Sequence, residues 1–158
     1  DPRMRLLADL DVDTIRSTQA RIGDAVGLTG KGRIRDTPFT LVARLLSPDQ
    51  AKRELEQGGI TLIDVGEPWQ LRERGTIAGA RNISHEEIAG IAASDPALGD
   101  REQPIILTCG GGGKAKRAAQ ALHDIGFAHV AVIQGGCRGW QAAGHELVPV
   151  SSTEGDRR

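Results

Sequence analysis

Cys109 stands where an apolar run meets a run of glycines, Pro104-Ile105-Ile106-Leu107-Thr108-Cys109-Gly110-Gly111-Gly112-Gly113-Lys114. The run before it has the composition of a buried parallel strand, and Ala115 to Ile125 has the pattern of a following helix. A thiol at the carboxyl end of a strand, facing a helix N-terminus, lies where open α/β sheets bind ligands. Glycines at 110 to 113 let the backbone curl until successive N–H groups point inward as an anion-binding nest. The positive end of the helix dipole and the ammonium of Lys114 act in the same sense. Together they favour thiolate over thiol and make Cys109 a candidate nucleophile. Two plainer readings stand beside this one: a small buried hydrophobe at a strand end and a flexible glycine linker. The strand before and the helix after favour the functional reading.

Other reactive side chains are spaced less tellingly. His85, His123, His129 and His145 are scattered without ligand spacing, so neither a metal nor a cofactor is expected. Asp64 ends an apolar run and is read as bracing the active loop or capping a helix that begins at Pro68, with Glu67 of similar status. Lys116 and Arg117 fall in the first turn after the glycines. Arg117 is a candidate supporting charge, with a solvated helix face as the alternative for both. Cys137 is read as filling a small space between Gly136 and Trp140, or as a thiol that resolves a modified Cys109.

Stepping out to the whole chain, 158 residues suffice for one domain with an appendage. The balance of 20 basic and 21 acidic residues, net charge −1, argues against a nucleic-acid partner, as do only two Trp, two Phe and no Tyr for stacking on bases. The apolar runs are too short to span a bilayer, so no membrane partner is expected. The chain opens on Asp1-Pro2-Arg3 without a basic stretch followed by an apolar one, which leaves a removed leader open. Two cysteines make no disulfide framework, and a glycine loop around one of them suits a reducing compartment, so a cytoplasmic location is expected.

Residues 1–40 differ from the rest. Leu6, Leu7, Leu10, Ile15, Ile22 and Val26 recur at near-helical spacing, and Gly27-Leu28-Thr29-Gly30-Lys31-Gly32 breaks the pattern. Gly30-Lys31 lacks the full phosphate-loop pattern and a preceding strand. A partly helical N-terminal arm is predicted, packed on the domain or on a second copy in a homodimer. Residues 41–150 alternate strand and helix: strands over 41–46, 60–65, 81–83, 104–108 and 128–133, with helices from Pro48, Pro68, His85, Ala115 and Arg138. Ser47-Pro48 makes a good cap and first helical position, and residues 151–158 are predicted to be a disordered tail. Repeated strand–helix units imply an α/β fold with a mostly parallel central sheet and helices on both faces.

Four segments in order carry a family resemblance: Asp64-Val65-Gly66-Glu67, then Gly75-Thr76-Ile77-Ala78-Gly79-Ala80-Arg81-Asn82-Ile83, then the Cys109 loop, then Gly135-Gly136-Cys137-Arg138-Gly139-Trp140. The series resembles the rhodanese-like domain family of sulfurtransferases, whose motifs read D-V-R-E, G-H-I-P-G-A-x-N-I, C-x-x-G-x-R and G-G-x-x-x-W. It covers about Ser47 to Val148. The resemblance implies that a Cys109 thiolate takes sulfane sulfur from a donor such as thiosulfate or a persulfide. It then passes the sulfur to a thiophilic acceptor, whether cyanide, a thiol or a partner protein. The N–H groups of Gly110, Gly111, Gly112, Gly113 and Lys114 would hold the terminal sulfur and the incoming anion.

The chain departs from the family at Gly66 for the D-V-R arginine, Thr76 for the histidine, and Lys114 for the loop arginine. Lysine keeps the charge and loses the planar fork, which weakens the case for thiosulfate and favours a persulfide donor. Two other functions remain open: a non-catalytic module that binds an anion or a partner, and a phosphatase or arsenate reductase on the same fold. Cys109 through Lys114 counts six residues, as in sulfurtransferase loops and one shorter than in the related phosphatases.

Overall fold

A computed structural model describes the backbone over residues 10–17, 26–34 and 37–151, and side chains from residue 44 to residue 151. Strands β1 (Leu10–Ser17), β2 (Val26–Ile34) and β3 (Thr37–Leu46) come first, then helix α1 (Pro48–Gln57), strand β4 (Thr61–Asp64) and helix α2 (Pro68–Arg74). After them come β5 (Arg81–Asn82), α3 (Ile88–Ser94), a single 3₁₀ turn (Pro96–Leu98), β6 (Ile105–Thr108), α4 (Gly113–Asp124), β7 (Val130–Ile133) and α5 (Gly136–Ala142). The strands form one sheet in the order β1-β2-β3-β7-β6-β4-β5. From β3 to β5 every pairing is parallel, while β1, β2 and β3 run antiparallel to their neighbours among themselves.

Side-chain alternation along the short central strands builds two cores. Leu62, Ile106, Ala131 and Ile133 join Ala51 of α1 and Trp140 of α5 on one face. Ile63, Ile105, Leu107 and Val132 join Ile88 of α3 and Ala115, Ala118, Ala119 and Leu122 of α4 on the other. Each fully buried Leu or Ile contributes about 1.5–3 kcal/mol relative to exposure. The expected α/β architecture is therefore present, with a mostly parallel sheet covered on both faces. Ser47 caps α1 reciprocally: its hydroxyl accepts the Gln50 N–H at 3.2 Å, and Gln50 Oε1 accepts the Ser47 N–H at 3.0 Å.

Where the N-terminal segment is described it is strand, and not the helix expected for part of the arm. Leu10–Ser17 is a strand, and β2 pairs with β3 in unbroken register from Val26↔Leu45 to Ile34↔Thr37. Val12, Thr14 and Ile15 make the segment rich in β-branched residues, a strand signal that sparse leucines masked, and the pairing with β2 shifts register between Val12 and Thr14. Gly27 to Gly32 lies inside β2, paired with β3 throughout and with β1 from Leu28 onward, so Gly30-Lys31 is part of that strand. The strand expected over 41–46 is the second half of β3. Residues 1–9, 18–25 and 35–36, and the tail beyond Ser151, lie outside the described residues. Among the described residues no helix is long and apolar enough to cross a membrane.

Candidate active site at the Cys109 loop

β6 delivers Cys109 to the carboxyl edge of the sheet, and α4 leaves from the same edge four residues later. Cys109 is buried at 2% exposure, Gly110 and Lys114 are half-buried, and Gly111 and Gly113 are exposed. The Gly112 N–H donates to Cys109 Sγ at 3.1 Å. That bond requires the chain to double back, which Gly112 allows at φ +97° as the N-cap of α4. No side chain caps α4, so the N–H groups of its first turn remain available to an anion at the loop mouth. Of the predicted backbone donors, it is the Gly112 N–H that reaches the Cys109 sulfur.

A second loop locks the first in place. Cys137 N–H donates to Cys109 O at 2.7 Å, and Arg138 N–H donates to Gly110 O at 3.0 Å. The backbones approach so closely that a Cβ on Gly136 would lie 2.2 Å from Cys109 O. The Gly135-Gly136 pair therefore seats α5 against the cysteine loop, and Trp140 of α5 is 5% exposed in the core cluster that also holds Cys137.

Lys114 pairs with residues at the start of α2. Its Nζ lies 3.1 Å from Gln70 Oε1 and 3.8 Å from Glu67 Oε1, both on the α2 side of the mouth. Glu67 also approaches His85 Nδ1 at 3.5 Å, so a small charged cluster rims the site. Arg117 is exposed on α4, and none of the described contacts joins it to the loop. Its exposure matches the alternative of a solvated helix face. His123, His129 and His145 pair separately with Asp124, Glu102 and Asp49.

Asp64 is fully buried beside the loop, but it braces a different partner from the one expected. Its Oδ1 accepts the Gly66 N–H and Arg74 Nη2, each at 2.9 Å, and its Oδ2 accepts Arg74 Nη1 at 2.9 Å and the Thr76 hydroxyl at 2.6 Å. The start of α2 is capped instead by its own Gln70, whose Oε1 accepts the Glu67 N–H at 3.0 Å. Arg74 is the residue that sequence reasoning missed. Its Nη1 also donates to Gly75 O at 2.6 Å and reaches Cys137 Sγ at 3.1 Å. Burial works against the Arg74 charge. The hydrogen bonds and charge of Asp64 outweigh it, with Cys137 and Cys109 adding in the same direction, so the guanidinium is held above its ordinary range. Arg138, exposed at the outer rim, is a second missed cation: its Nη1 is 3.9 Å from the point where a Cβ on Gly111 would stand.

Cys137 occupies a polar nook on the opposite face from Cys109. Its Sγ lies 3.7 Å from Asp64 Oδ2 and 3.8 Å from Thr108 Oγ1. Burial first, then the Asp64 carboxylate, push this thiol up to about 11 against the opposing effects of Arg74 and Thr108. Held so far above its ordinary range, this thiol is largely protonated near neutral pH.

These features define the class: an α/β domain with a cysteine in a glycine loop where a parallel strand gives way to a helix. Residues 47–143 match the family model described as Rhodanese-like domain, and the chain belongs to that family. The chain is 30% identical over 97 residues to the thiosulfate sulfurtransferase GlpE of Ectopseudomonas mendocina (strain ymp), an alignment covering 61% of this chain and 84% of that protein. The human single-domain sulfurtransferase TSTD1 shares the fold at a TM-score of 0.57 and 23% identity, over 62% of this chain and 95% of that one. A Rhodopseudomonas palustris CGA009 protein of unknown function, RPA3614, described as a possible tyrosine phosphatase, does so at a TM-score of 0.62 and 20% identity, over 67% and 85%.

Proposed function

We propose that this protein is a sulfurtransferase that works through a persulfide on Cys109. The observation that carries the reading is the Gly112 N–H on Cys109 Sγ at 3.1 Å, set at the uncapped N-terminus of α4. In the first step the Cys109 thiolate attacks the outer sulfur of the donor. The new S–S bond forms as the donor's own S–S bond breaks, and sulfite leaves with the bonding pair when the donor is thiosulfate. In the second step an acceptor lone pair attacks the terminal sulfur and Cys109 leaves as thiolate, so no external oxidant or reductant is consumed. Backbone N–H groups from Gly110 to Lys114 stabilise the negative terminal sulfur and the departing anion, a preorganised field that needs no movement during the reaction. The sulfurtransferase relative at 30% identity supports the same reaction class.

The donor class follows from charge. Lys114 is held at the rim by Glu67 and Gln70, and the loop presents no arginine fork of its own. A persulfide donor, with one negative sulfur, suits that loop better than a sulfonate with three oxygens. Intact-protein mass tests the proposal: incubation with donor is expected to add one sulfur atom, about 32 Da, to Cys109, and cyanide to remove it. A second reading, a module that binds an anion or partner without turnover, is favoured by the 2% exposure of Cys109. No mass gain with either thiosulfate or a persulfide donor would select it. The six-residue span of Cys109 to Lys114 speaks against phosphatase or arsenate reductase chemistry.

A further inference from the structure

We infer that Arg74 is the positioning residue of the Cys109 loop, supplying from the end of α2 the cation that the D-V-R pattern places at residue 66. The two positions compete for one space. A Cβ on Gly66 would stand 2.7 Å from Arg74 Nη2, and 3.1 Å from both Asp64 Oδ1 and Leu71 Cδ1. With glycine at 66 that volume is open, and the guanidinium of Arg74 fills it. Two parallel bonds to Asp64, both at 2.9 Å, fix its plane.

So held, the guanidinium reaches from Asp64 to the α5 loop and lies beside the Cys109 loop. Its Nη1 reaches Cys137 Sγ at 3.1 Å on the α5 loop, and its Nε is 3.8 Å from the point where a Cβ on Gly110 would stand. Arg74 is 20% exposed at its side chain, whereas the other cations near the loop sit at its rim or in solvent. Lys114 is engaged by Glu67 and Gln70, and Arg138 and Arg117 are exposed. A partly buried cation is screened less than these and acts more strongly on charge at Cys109. The role in sulfur transfer rests on the function proposed above, but the placement of charge is measurable without any transfer.

The test compares alkylation of Cys109 by iodoacetate, which is anionic, with alkylation by iodoacetamide, which is neutral, each quantified by peptide mass. Their rate ratio reports local positive charge, and loosening of the loop changes both rates together. Arg74→Gln is expected to lower the ratio on the order of fivefold, the effect of removing one partly screened charge a few ångströms away. Arg74→Lys is expected to keep most of it. The exchange Gly66→Arg with Arg74→Ala is expected to restore both the ratio and the unfolding temperature, because arginine re-enters the same space from the other side. A ratio unchanged in Arg74→Gln overturns the inference. So does an exchange variant that regains wild-type stability with a lowered ratio, and if Arg74→Gln fails to fold, that variant and Arg74→Lys decide. A wild-type protein that takes no sulfur from any donor would sink the proposed function and leave this ratio intact as a test.

Discussion

The two cysteines invite comparison because so much about them is alike. Each follows the carboxyl end of a parallel strand, β6 or β7, each adjoins glycines, each is almost fully buried, and the two loops share a backbone hydrogen bond of 2.7 Å. The difference lies in what faces the sulfur. Cys109 receives a backbone N–H at a helix N-terminus. Cys137, on the other face of the sheet, has the Asp64 carboxylate 3.7 Å away and is pushed up to about 11. Burial by itself makes a cysteine inert; oriented donors make a buried sulfur a candidate nucleophile. Arg74 stands between the two, bonded to Asp64 and close to both loops.

The sharpest way to break the comparison is to remove each thiol. Cys109→Ala is expected to abolish sulfur loading entirely, whereas Cys137→Ala retains it, as read by intact mass after donor treatment. Loading that survives in Cys109→Ala would overturn the assignment of roles.

Next in size is the carboxylate that separates the two environments. Asp64→Ala leaves Arg74 with a partly buried, uncompensated charge and the Thr76 hydroxyl without its acceptor. A loss of about 3–5 kcal/mol is expected in urea unfolding, as for other buried pairs broken from one side. A loss under about 1 kcal/mol would show that the pair is solvated in practice.

The contact between the loops comes third. Gly136→Ala puts a Cβ 2.2 Å from Cys109 O at a φ of +59°, so it should destabilise the fold by about 1–3 kcal/mol and slow loading. Gly113→Ala, with nothing within 4 Å of its Cβ, should be neutral or stabilise α4 by up to about 1 kcal/mol. Equal effects from the two substitutions would mean that the loops are not locked together.

The smallest effect is the pH dependence that Cys137 contributes. Its folded value of about 11 lies above its ordinary value of 9.0, so between them the folded state binds more proton than the unfolded chain. Stability from this group is complete below pH 9.0 and falls as pH rises toward about 11. The wild type should lose stability over that range faster than Cys137→Ala, and parallel pH profiles would contradict the environment assigned to this thiol.

Much of this site was legible along the chain. The alternation of strand and helix from β3 onward, the Ser47 cap, and the placing of Cys109 between β6 and α4 follow from runs of neighbouring residues. Periodicity, capping and glycine conformation are decided within one turn or one strand, so the sequence by itself determined them. The antiparallel β1 and β2 were decided by pairing: a glycine-rich segment becomes a strand when a ladder lies on both sides, and that depends on partners elsewhere in the chain. Arg74 was decided the same way. As one of three charges in Arg72-Glu73-Arg74 it looks like a solvated helix end, and the arginine missing at Gly66 was the signal that another cation had taken its place. Its bonds join it to Asp64, ten residues back, and to Cys137, sixty-three residues on. Buried charge must find a partner wherever the fold brings one, so only the tertiary structure shows which arginine is enclosed and which sulfur faces a donor.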